Sequence, residues 1–72
     1  MEFVIVLFGE EREVVIDDVN SGEETNKVIE VEAGTHCFSL AGTRDFVPLE
    51  QFFTVVNTSV LNPREVRFEK KA

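Results

Sequence analysis

The only histidine and the only cysteine of the chain stand side by side, His36 and Cys37, in the segment GTHCFSL at 34–40. An imidazole can relay a proton or bind a metal, and a thiolate is a nucleophile, so the pair invites a Cys–His catalytic reading. Whether they can act together depends on the element that carries them. The segment alternates in polarity, and a β-strand sends successive side chains to opposite faces. His36, Phe38 and Leu40 then share one face, and Thr35, Cys37 and Ser39 the other. Imidazole and thiol diverge, so no dyad is expected. His36 reads as a half-buried residue at the start of a strand, beside a tight turn. Cys37 has no neighbouring cation to lower its pKa and has acids that would raise it, so it reads as a small semi-buried thiol.

The segment DDVNSGEE at 17–24 is the other place where chemistry is conceivable. Asp18, Asn20 and Gly22 match the opening of a D-x-N-x-G calcium loop, and Glu23 and Glu24 add oxygens. The twelve-residue register fails, because Ile29 falls where the bidentate acid belongs. An acidic hairpin loop over 17–25, exposed and without metal, is therefore expected. One Cys and one His supply two of the four ligands that a structural zinc site needs. Gly-rich phosphate loops and the G-x-S-x-G elbow are missing as well. No catalytic residue, metal or cofactor is assigned. Asn57-Thr58-Ser59 fits the glycosylation pattern, which carries meaning only in a eukaryotic secretory setting.

Composition narrows the classes further. The 72 residues carry a formal charge of −7, which argues against a nucleic-acid partner. The charge is uneven: residues 1–36 hold ten acids and two bases, residues 37–72 four acids and five bases. The opening MEFVIVLF lacks the basic start and the cleavage site of a secretory signal, and no stretch reaches the ~20 apolar residues of a membrane span. A cytoplasmic location is expected if the chain is complete, and a cell-surface or periplasmic one if it is a segment of an exported protein.

The elements that must position these residues are strands. Helical periodicity is nearly absent, and β-branched and aromatic runs are broken by turn signals about every ten residues. The pattern predicts one all-β domain over 1–72, a small antiparallel β-sandwich of about six strands: 2–8, 13–17, 26–32, 35–41, 51–57 and 64–69. Val14 and Ile16, Ile29 and Val31, and Val66 and Phe68 are expected to face inward. Residues 42–50 read as a connection and the basic end 69–72 as frayed.

With the strands laid out, VVIDDVNSGEETNKVIEVEAGTHCFSL resembles the PEGA domain family, small β-sandwich modules of bacteria and archaea. Val14 to Asp17 match its first strand and turn, Gly22 and Thr25 its loop, and Gly34, His36, Phe38 and Leu40 its alternating strand. Asp45-Phe46-Val47-Pro48 is similar to its Gly-Tyr-x-Pro stretch. FGEER stands where the Pro-Glu-Gly-Ala tetrad would be, and Thr25-Asn26 replaces Thr-Pro. The resemblance implies a sandwich with a structural or interaction role and brings no catalytic residues. A transthyretin-like or immunoglobulin-like sandwich fits the same pattern.

Two strands carry more apolar surface than one core face requires. Phe3, Ile5 and Leu7 oppose Val4, Val6 and Phe8, and Phe53 and Val55 oppose Phe52 and Val56. A sheet in a two-layer sandwich has one interior face. The expectation is therefore a non-enzymatic interaction module that forms a homodimer or binds a protein partner. Val4, Val6, Phe8, Phe52 and Val56 are the candidate contact residues. A calcium-assisted ligand- or carbohydrate-binding module through the acidic loop is the alternative.

Overall fold

The computed structural model describes residues 1–71; Ala72, part of the end expected to fray, lies outside them. Every regular element is a strand: β1 (Glu2–Leu7), β2 (Glu13–Ile16), β3 (Val19–Glu24), β4 (Val28–Val31), β5 (Gly34–Leu40), β6 (Phe46–Val47), β7 (Gln51–Val55), β8 (Arg64–Arg67) and β9 (Glu69–Lys70). They form a three-stranded sheet, β4-β1-β8, a four-stranded sheet, β3-β2-β5-β7, and the small pair β6-β9. The radius of gyration, 11.2 Å, is that expected of one compact chain of this length. The all-β sandwich expected from the pattern is present, with nine short strands among the described residues in place of about six.

Val4, Val6 and Phe8 from β1 and its end, Ile29 and Val31 from β4, and Val66 and Phe68 from the β8 side form one wall of the core. Val14, Phe38, Leu40 and Val55 form the other, with Phe46 buried between Phe8 and Phe68 in edge-on contacts. Val4, Val6, Val14, Phe38, Val55 and Val66 are wholly shielded from water.

Val4, Val6 and Phe8 are therefore not contact residues but core. The neighbouring strands decide which face of β1 turns inward. Val4 lies opposite Ile29, and Val6 opposite Val66. On the other parity Phe3 lies opposite Glu30, Ile5 opposite Glu65, and Leu7 opposite Arg67. Charged partners hold that face outward, because burying them unpaired would cost far more than apolar contact returns.

The segment 17–25 is not a loop. Val19–Glu24 pairs with β2 as an edge strand, and Asp17 (φ 53°) and Asp18 (φ 64°) form the two-residue turn between them. A turn of this kind needs positive φ at both central residues, which Asp tolerates better than most residues do. The polar residues complete the strand where its ladder breaks at a bulge between Glu13 and Val15. Glu13 accepts hydrogen bonds from the Asn20 amide and the Gly22 N–H, and the Ser21 hydroxyl donates to the Val14 carbonyl.

Three further features depart from the expected layout. β1 and β8 run parallel, so the sandwich is not purely antiparallel. The 42–50 connection contains β6. Glu69 and Lys70, expected to fray, pair with it as β9.

Candidate functional site

His36 and Cys37 diverge as strand alternation demands, and Asp17 reaches both. The His36 Nδ1–H donates to the Asp17 carboxylate at 2.7 Å, and Nε2–H donates to the Glu32 carbonyl at 2.7 Å. The other Asp17 oxygen accepts the Cys37 backbone N–H at 2.9 Å, while the Asp17 N–H donates to the Cys37 carbonyl. Two acceptors facing two ring nitrogens require both to carry protons, so the geometry selects the imidazolium. The Asp17 carboxylate, then the Glu32 carbonyl, accordingly raise the His36 pKa, against the opposing effect of burial. Asp17 is held below the usual carboxylate range by the Cys37 N–H and then by His36. With both nitrogens engaged, the ring has no free lone pair for a substrate proton or a metal. It ties the β2–β3 turn to the β4–β5 turn.

Cys37 lies on the outer face of the four-stranded sheet, opposite Phe52. Its thiol makes a weak contact with the Glu50 carboxylate at 3.6 Å. Burial raises its pKa first, and the charges of Glu50, Asp18 and Asp17 add to this. A thiol in that field is a poor nucleophile at neutral pH. A groove of about 500 Å³ opens nearby, lined by Val15, Asp18, Ser39, Arg44, Leu49 and Glu50 among others, with neither His36 nor Cys37 in its wall.

The residues matching the calcium pattern do not converge. Asn20 is spent on Glu13, and Glu24 on Lys27 at 2.9 Å. Among the described residues no three His, Cys, Asp or Glu side chains gather around a common point. A strand scatters alternate residues to opposite faces, where a loop could have wrapped them around an ion.

A charged cluster at the opposite end escaped sequence reasoning. Arg12, 16% exposed, lies across the Phe8 ring, and its guanidinium donates to both Asp45 oxygens, to Glu10 and to the carbonyls of Ala41 and Thr43. Lys70 joins through Glu10 and Asp45. Arg12 and Asp45 hold each other charged, and Glu10 is lowered first by Lys70. Beside them the buried Thr25 hydroxyl accepts the Arg12 N–H and donates to the Glu10 carbonyl. Every partner here belongs to the frame, so this is a latch for the 41–45 segment and β9.

Of the five contact residues expected, Phe52 (65% exposed) and Val56 (48%) do face solvent. The surplus face of β1 is the other one: Phe3, Ile5 and Leu7, half-buried by their neighbours, with the exposed Val28 opposite Ile5. Among the described residues no helix is long and apolar enough to cross a membrane. The Thr58 hydroxyl of the Asn57-Thr58-Ser59 triplet is engaged by Phe3 N–H and Glu2. Comparison with protein-family models, curated proteins and solved structures finds no match to this chain.

Proposed function

We propose that the chain is a non-catalytic, PEGA-like β-sandwich module with a structural or protein-interaction role, pairing with a second copy through the outer face of β4-β1-β8. The observation that carries this reading is the outward stripe Phe3, Ile5 and Leu7, with Val28 beside it, on a sheet whose other face already fills the core. A patch on one face of a sheet can satisfy itself across a twofold axis. The engagement of both His36 nitrogens and the raised Cys37 thiol support a role outside catalysis.

Half-buried side chains have limited surface left to lose, and association costs translational and side-chain freedom. The pair is accordingly weak, with a dissociation constant between about 1 µM and 1 mM. Sedimentation of the wild type, Ile5→Lys and Phe52→Ser tests it. Ile5→Lys should remain monomeric with its melting temperature kept, while Phe52→Ser should dimerise like the wild type. A wild type that stays monomeric at millimolar concentration removes the homodimer. A reaction lost on changing His36 removes the non-catalytic reading.

A further inference from the structure

We infer that the turn Ser59–Asn62 is a hydrophobic finger that inserts Val60 and Leu61 into an aliphatic pocket, rimmed by Lys or Arg, on a different protein. The turn closes through its flanks. The Ser59 N–H donates to the Asn62 carbonyl at 3.2 Å, and the Asn62 N–H donates to the Ser59 carbonyl at 3.0 Å and to the Ser59 hydroxyl at 3.1 Å. Val60 and Leu61, the two central residues, take no part, and neither has positive φ. Small polar residues would fit these positions equally well and are the usual choice. Instead Val60 is 59% exposed and Leu61 94%, which does nothing for the core.

The finger is held firmly. Just before it, Thr58 accepts the Phe3 N–H at 2.7 Å and donates to Glu2, binding the base of the loop to the start of β1. That bond also brings Met1, 70% exposed, to the same end of the sandwich. A preorganised apolar tip loses little freedom on binding.

Charge selects the occupant. The loop joins β7 to β8 at the end where Glu2 begins β1, opposite Val31, so Glu30 and Glu32 flank it. The Asp17-Asp18 turn lies at this end too, through its bonds to the start of β5. Among the described residues the cations there are the Met1 α-ammonium beside Glu2, His36, clamped between Asp17 and Glu32, and Arg64, laid over the Phe53 ring at 4.5 Å, fewer than the five acids. An acidic collar is repelled by an anionic bilayer, and a tip-to-tip contact between two fingers would set one collar against the other. A pocket with a basic rim on another protein satisfies both the apolar tip and the collar.

The inference rests on the interaction reading but uses a different surface, so the two fail separately. A photo-reactive diazirine analogue of leucine is placed at position 61 of the chain at its native length, in the cells that make it, with position 23 as control. The expected result is an adduct with one protein from position 61 alone. Once purified, that protein should bind Leu61→Asn at least tenfold more weakly than wild type, and Glu32→Lys several-fold more weakly. The melting temperature of Leu61→Asn should match the wild type, and that of Glu32→Lys should fall only slightly, through the weaker clamp on His36. The finger is refuted by adducts no different from those at position 23, by an adduct with a second copy, or by a partner indifferent to Leu61→Asn. Leu61-dependent co-sedimentation with vesicles of phosphatidylcholine, alone or with phosphatidylglycerol, refutes it as well. Sedimentation of Ile5→Lys in parallel shows whether the sheet-face pairing survives that failure.

Discussion

Replacing His36 with Gln should change how stability responds to pH more than it changes the fold. The wild-type imidazolium makes two charge-assisted hydrogen bonds of 2.7 Å, one to Asp17 and one to the Glu32 carbonyl. Such bonds contribute about 1.5–3 kcal/mol each when shielded. The His36 side chain is 15% exposed but Asp17 is 52% exposed, so solvent screening reduces the sum to about 1–2 kcal/mol. The folded pKa of His36 is raised, so this stabilisation is complete below the unfolded value of about 6.5 and is lost as pH climbs through the folded value. The folded pKa of Asp17 is lowered, so its share is complete above about 4 and is lost as pH falls through the folded value. Both act fully between about pH 4 and 6.5. The Cys37 thiol, raised in the folded chain, also costs stability towards pH 9, but equally in wild type and variant, so the difference between the two proteins reports His36. Urea denaturation at pH 6 and pH 9 should show the wild type losing about 1–2 kcal/mol, a fall of about 4–16 °C in melting temperature for a domain this size. His36→Gln should lose much less between the same two pH values. Equal losses in both proteins, or none in the wild type, would refute the clamp.

Three other outcomes follow from the geometry. Thr25→Val keeps the shape but leaves the part-buried Arg12 N–H and Glu10 carbonyl without their partner, so calorimetry should show a loss of about 1–3 kcal/mol. Asp18→Gly relieves a positive φ at the second turn position and should stabilise by about 0.5–1 kcal/mol; destabilisation would mean that the Asp18 side chain matters to the hairpin. Cys37 should react with iodoacetamide at pH 7.5 more slowly than a free thiol does, because burial and Glu50 disfavour its thiolate; faster labelling would revive a nucleophilic role.

Alternation alone made much of the core legible. Val14, Ile29, Val31, Val66 and Phe68 lie inside as their segments predict, and Phe38 and Leu40, grouped on one face by alternation, are buried together. It also separated His36 from Cys37. Parity failed at β1, where both faces are apolar and the outcome rests on neighbours distant in sequence, Glu30, Glu65 and Arg67. It failed again at β3, because Asn, Ser and Gly weigh against a strand unless a bulge needs their side chains and flexibility. The His36 clamp lies between these cases. The strand that carries His36 was readable, but its partner Asp17 depended on a turn with two residues at positive φ. The Arg12 latch joins residues more than thirty positions apart and left almost no local trace.

The most direct test of the proposed role is a dilution series followed by methyl and aromatic NMR, from millimolar to micromolar protein. Pairing through the outer face of β4-β1-β8 predicts concentration-dependent shifts at Phe3, Ile5, Leu7 and Val28, with Val4, Val6 and Val66 nearly unmoved. Spectra independent of concentration, or shifts confined to Phe52 and Val56, would contradict it.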